Sequence, residues 1–168
     1  LIARFLPVLT ELRNVTRETI IVGQAANANN SIIYLSVLEG LQAIKYTAEV
    51  GDRKPLHSTA IGKVVLGAMT DDARMKVLKR LKLEAVTSET FSEPELVNKD
   101  ILVGLERGYQ MTKGENVVDV GAIAMPLRRL GRTFGIAIAG PVHRLVPRET
   151  DLAGLLKAAC EKLADADV

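Results

Sequence analysis

The sequence contains no tryptophan, and its few Phe and Tyr residues bring the aromatic share to only 4%. Platforms that stack nucleic-acid bases are therefore not expected. Cys160 is the single cysteine, which excludes an internal disulfide framework and a cysteine-rich metal site. It falls within a helical pattern and reads as a small core side chain rather than a nucleophile. Two histidines, His57 and His143, are little material for a zinc site. No apolar run approaches the roughly 18 residues of a membrane span. Neither sign of charge dominates. Lys and Arg number 22 against 20 Asp and Glu, a net +2, too even for nucleic-acid binding driven by electrostatics alone. Asn14-Val15-Thr16 and Asn29-Asn30-Ser31 match the glycosylation pattern, but no export signal accompanies them, and both read as chance. A reducing, cytoplasmic setting is expected, with no metal and no cofactor.

What is present is an ordinary core-forming composition. The 168 residues are 48% hydrophobic and 25% charged, enough for one domain with a full core and incompatible with disorder. The chain opens on Leu1 in mid-helix pattern and without a start methionine, so a domain cut from a longer protein is expected. Ile2, Phe5, Leu6, Leu9 and Leu12 recur at helical spacing. Residues 19–26, 31–38 and 42–49 follow as three strands joined by short turns. Helices are expected over residues 59–69, from the cap at Thr70-Asp71-Asp72, and from Ser92-Glu93-Pro94-Glu95 to the C-cap Gly108. Three more strands follow, over residues 109–112, 117–127 and 133–139, the last two joined by a turn at Gly131. A final helix opens at residues 147–149 and carries the stripe Leu152, Leu155, Leu156, Ala159 and Leu163. Runs of strands separated by runs of helices imply an α+β fold with an antiparallel sheet.

Two features carry possible chemistry. At Pro55-Leu56-His57-Ser58-Thr59-Ala60-Ile61-Gly62-Lys63, a proline-containing loop feeds a helix whose first turn holds small residues. The first N–H groups of a helix have no intrahelical partner and carry the positive end of its dipole. With small side chains at Ser58, Thr59 and Ala60 they stay reachable by a carboxylate or phosphate; simple capping by Ser58 or Thr59 is the other reading. The second feature is a smooth sheet face. Alternation puts Val118, Val120, Ala122 and Ala124 on one side of a strand, and Gly135, Ala137 and Ala139 on one side of the next. Such a face either lets a helix pack closely or floors a cavity for an apolar ligand. Catalysis is thinly supported. His57 and Ser58 are adjacent in sequence, with Asp52 nearby, but no Gly-x-Ser-x-Gly elbow and no Gly-x-x-x-x-Gly-Lys loop occurs. The basic groups Lys79, Arg80 and Lys82, and Arg128, Arg129 and Arg132, read as solvated surface.

In order along the chain stand Pro55 to Lys63, Arg107-Gly108-Tyr109, Gly121-Ala122-Ile123-Ala124-Met125-Pro126 and Ala139-Gly140-Pro141. This series resembles the effector-binding domain of the IclR family of bacterial transcriptional regulators, over about residues 15–163. The resemblance implies a GAF-like α+β domain, an antiparallel sheet of about six strands flanked by helices. It implies that residues 1–14 end a linker helix and 15–168 form the effector-binding domain. A winged helix-turn-helix contacting DNA would lie outside this chain. It further implies a homodimer or homotetramer and a small-molecule effector, often an organic acid. The implied effector-binding residues are Leu56, His57, Ser58, Thr59, Ala60, Ile61, Gly62, Met111, Ala122, Ala137 and Ala139, with the anion on the N–H groups of Ala60 and Ile61. Some members that sense small keto acids place Cys or Ser where this chain has Ala122, Ala137 and Ala139. Alanine offers no hydrogen-bond donor, so a very small, very polar effector fits poorly. The expected function is a small-molecule sensing domain of a DNA-binding regulator, not an enzyme. A hydrolase using His57 and Ser58 and a ligand-free dimerisation module remain as alternatives.

Overall fold

The computed structural model describes residues 1–165, so the last three residues of the domain expected over 15–168 lie outside the described residues. Period-two alternation builds a sheet of six strands: β1 (Thr19–Ala26), β2 (Ser31–Leu38), β3 (Arg53–Lys54), β4 (Gln110–Lys113), β5 (Val120–Arg129) and β6 (Arg132–Pro141). Their order is β3-β2-β1-β6-β5-β4, and every neighbouring pair is antiparallel. The helices are α1 (Ile2–Thr16), α2 (Ala60–Gly67), α3 (Asp71–Arg80), α4 (Pro94–Arg107), the single turn α5 (Val142–Leu145) and α6 (Glu149–Asp165). A 3-10 turn at Val146–Arg148 leads into α6. The architecture is the α+β sheet with flanking helices that the sequence implied.

Local chemistry sets the boundaries. Thr70 caps α3 by accepting from the Ala73 N–H at 3.3 Å, and Gly108 ends α4 in the left-handed region at φ 98°. Pro94 opens α4 at a position where its missing N–H costs nothing. Leu130 and Gly131, both at positive φ, close the β5–β6 hairpin.

The sheet separates two cores. On one face α1 and α6 cover Ile20, Val22, Ile123, Met125, Phe134, Ile136 and Ile138. There Phe5 of α1 meets Phe134 edge-on, ring centres 6.2 Å apart. Leu152, Leu156, Ala159 and Leu163 of α6 are buried against this face. On the other face lies α2, backed by α4 and then α3, over Ile21, Ile32, Tyr34, Ala124, Ala137 and Ala139.

Two strand expectations are corrected. Residues 42–49 form no strand, because the free edge of β2 is taken further along the chain. Tyr34 N–H donates to Asp52 O at 2.9 Å and Gly51 N–H to Tyr34 O at 2.8 Å, and β3 continues the pairing at Ile32 and Ile33. Residues 41–50 are instead pinned at the sheet's end. Thr19 Oγ1 donates to Tyr46 O at 2.5 Å, and Arg144 Nη2 to Ile44 O at 2.7 Å. Likewise β5 begins at Val120, so Val118 lies in the preceding turn and is 67% exposed rather than on the sheet face.

Candidate functional site

The β5–β6 register settles whether the two small-residue rows share a face. Ala122 pairs directly with Ala139, and Ala124 with Ala137, so the rows form one nearly smooth patch. Its two halves have different uses. At Gly135, a methyl group would stand 2.7 Å from Ile61 Cγ2, and Gly23 also lies against Ile61. There the bareness lets α2 sit close on the sheet. Toward Ala122, Ala137 and Ala139 no helix side chain fills the space, and a cavity of about 40 Å³ remains.

Its walls come from four parts of the chain. The start of α2 contributes Ser58, Thr59, Ala60 and Ile61. The sheet contributes Ile21, Tyr34, Thr112, Val120, Gly121, Ala122, Ala137 and Ala139. Tyr46 enters from the pinned 41–50 segment, and Asn116 and Val117 from the turn before β5. None of these side chains is charged. Tyr34 is buried, and burial together with the neighbouring Tyr46 raises its phenol well above the usual range, so it stays a neutral donor.

The entry into α2 is fixed by Thr59. Its hydroxyl accepts from Gly62 N–H at 3.1 Å and donates to Pro55 O at 2.6 Å. A side chain at Gly62 would run into the Leu56 backbone, so loop and helix press together at this point. Capping therefore occurs, and it leaves the N–H groups of Ala60 and Ile61 outside the cap, in the first turn where intrahelical acceptors are lacking. Ser58 Oγ donates to Asn116 Oδ1 at 2.9 Å, which ties the turn over the cavity to the helix start.

The sequence-derived residues divide accordingly. Ser58, Thr59, Ala60, Ile61, Ala122, Ala137 and Ala139 come together around the cavity. Leu56, His57, Gly62 and Met111 do not. Met111 is buried on the opposite face with Ile123 and Met125, and its neighbour Thr112, paired with Ala122, takes the wall position. Successive strand residues face opposite ways, so a shift of one residue decides the face. Leu56 packs in the core beside α2, and with His57 it borders a separate surface hollow. The buried His57 ring bonds through Nε2 to Glu84 O at 2.9 Å. A carbonyl only accepts, so Nε2 carries the proton. Desolvation lowers the pKa of His57 below its usual value. His57 and Ser58 thus turn to different partners, Glu84 and Asn116, and form no nucleophile–base pair.

Sequence reasoning missed Tyr34, Tyr46, Thr112 and Asn116 as wall residues. It also missed what holds the cover. Lys63 on α2 is fully buried, bonded to Glu115 and, at 2.6 Å, to Asp100 of α4, with its ammonium 5.0 Å from the centre of the Phe91 ring. Glu115 immediately precedes Asn116. Its pKa is raised, burial outweighing the opposing pull of Lys63. Nothing in local sequence signals a pair 52 positions apart.

Comparison with known proteins gives this geometry a family. The description "Bacterial transcriptional regulator IclR C-terminal" matches residues 1–165. The HTH-type transcriptional regulator KdgR of Dickeya chrysanthemi is 30% identical over 132 residues, 79% of this chain and 42% of the relative. The chain spans about half the length of the curated relatives it matches. Among solved structures, the C-terminal domain of Escherichia coli transcriptional regulator KdgR superposes with a TM-score of 0.84 at 27% identity, covering 97% of this chain and 95% of that one. An IclR homolog from Microbacterium hydrocarbonoxydans, solved with 4-hydroxybenzoate, has the same fold with a TM-score of 0.82 at 21% identity, over 96% of this chain and 67% of that one. The matched family and these relatives are transcriptional regulators, not enzymes. The chain belongs to the IclR family of bacterial transcriptional regulators, as a C-terminal domain of that family.

Proposed function

We propose that this domain senses a compact organic acid on behalf of a DNA-binding regulator. The observation that carries the reading is the meeting of two features in one cavity. Ala60 and Ile61, in the first turn of α2 where N–H groups lack intrahelical acceptors, line it together with Ala122, Ala137 and Ala139 of the sheet. The positive end of α2 offers a carboxylate its partners without a charged side chain. The alanine floor accepts an apolar or aromatic body. The hydroxyls of Tyr34, Tyr46 and Thr112 are placed for a polar tail. A cavity of about 40 Å³ is small for a drug-sized guest, so an aromatic acid enters only as the Asn116–Val117 turn or the Tyr46 segment gives way. That a homologous protein was solved with 4-hydroxybenzoate supports the ligand class.

In this reading residues 1–14 end a helix leading from a winged helix-turn-helix segment, residues 15–168 bind the effector, and copies associate as a homodimer or homotetramer in the cytoplasm. No helix among the described residues is long and apolar enough to cross a membrane. The effector shifts the arrangement of DNA-reading segments only by its differential affinity for the two states. Calorimetry and thermal shift against benzoate, 4-hydroxybenzoate and short aliphatic keto acids test the reading. An acid at 100-fold its dissociation constant stabilises the domain by about 2.7 kcal/mol, and Ala137→Leu abolishes that gain. Binding that persists unchanged in Ala137→Leu and Ala122→Phe would place the ligand elsewhere.

A further inference from the structure

Among the described residues, four of the large hydrophobic side chains left in solvent belong to α4: Leu96, Leu102, Val103 and Leu105, each between 43% and 49% exposed. The opposite side of this helix, Val97, Ile101 and Gly104, is buried against the domain. The exposed side also carries Lys99 and Glu106, and among the described residues neither has an ion-pair partner. At about 100° per residue, Lys99, Leu102, Val103 and Glu106 fall within roughly 100° of the helix circumference.

The order of these four residues is symmetric about the point between Leu102 and Val103. Lys99 lies three residues before Leu102, and Glu106 three after Val103. A two-fold axis through that point and perpendicular to the helix would bring Leu102 onto Leu102 of the second copy, and Val103 onto Val103. It would also set Lys99 of each copy against Glu106 of the other. A parallel pairing would instead oppose Lys99 to Lys99. Self-complementarity of this kind is what an isologous interface requires.

We propose that the outer face of α4 is a contact between two copies of this chain, packed antiparallel about the Leu102–Val103 midpoint. This rests on the self-association proposed above and assigns its surface. One helix pair buries less than the roughly 1,200 Å² of a stable interface, so the contact alone gives a weak, reversible dimer.

Sedimentation equilibrium of the 168-residue chain from about 10 to 500 µM tests it, with circular dichroism confirming that each variant is folded. The wild type is expected to dimerise across this range. Leu102→Glu should raise the dissociation constant at least about tenfold. Lys99→Glu and Glu106→Lys should each weaken association about fivefold or more, and the double swap K99E/E106K should restore it to within about threefold of wild type. A wild type that stays monomeric at 500 µM overturns both the self-association and this surface. A dimer indifferent to Leu102→Glu, or single swaps that the double swap fails to rescue, overturns this surface alone.

Discussion

The two sides of one strand contrast sharply. Along β6, Phe134, Ile136 and Ile138 face α1 and α6, while Gly135, Ala137 and Ala139 face α2. Along β5, Ile123, Met125 and Leu127 face the first core and Ala122 and Ala124 the second. The same backbone thus carries a side filled by bulky residues and a side kept bare. On the filled side bulky residues pack against α1 and α6. On the bare side small residues serve two ends: Gly23 and Gly135 admit Ile61, and Ala122, Ala137 and Ala139 leave the cavity. Uniform packing would have made one core as full as the other.

The contrast can be broken by substitution. Phe134→Ala on the filled side should cost about 3–5 kcal/mol in urea denaturation, because the ring meets Phe5 and is almost wholly buried. A loss below about 1 kcal/mol would mean that the filled side carries little of the stability. Lys63→Met strands Glu115 and Asp100 beside an apolar group. A loss of about 2–4 kcal/mol is expected, with loosening of the Glu115–Asn116 turn visible as faster amide exchange there. Gly135→Ala thrusts a methyl group at Ile61 and should cost about 1–3 kcal/mol. Ala122→Val, four pair positions away along the β5–β6 ladder, adds two methyl groups beside the cavity and should change stability by less than about 1 kcal/mol. It should nonetheless remove binding of any acid that the wild type takes up, as read by calorimetry. Equal destabilisation by the last two substitutions would mean that the bare side has one use, not two.

The smallest effect concerns pH. Burial holds the His57 pKa below its usual value near 6.5. As pH falls through that value the unfolded chain takes up a proton that the folded chain resists, and stability declines. Urea midpoints should therefore fall further, or rise less, between about pH 7.5 and 5.5 in the wild type than in His57→Gln, the raised Glu115 pKa acting in the opposite sense in both. Identical slopes would show that the ring is protonated in the folded state.

The smooth patch was legible in sequence because strand alternation is periodic and alanines at every second position stand out. The start of α2 was legible because Thr59 and small neighbours follow a proline loop. Met111 shows where the reading stopped, since a one-residue register, set by pairing with β5, decides between Met111 and Thr112. Tyr46 shows another limit. Its segment has strand-like composition, but β2 had already been satisfied by residues 51–54. The partners of Lys63, and of the Glu18 carboxylate that Arg144 grips at 2.7 Å, lie far along the chain and leave no local trace.

The uncharged walls of the cavity have a consequence for how such a site diversifies. If the anchor for an acid is made of backbone N–H groups at Ala60 and Ile61, any residue there that keeps its N–H and fits the space supplies it, whatever its side-chain chemistry. The discriminating part of the ligand then meets three alanines, where one substitution changes shape or adds a hydroxyl. Anchor and selector are thus inherited separately. On that reading one regulator can drift from one acid to another without passing through a form that binds none.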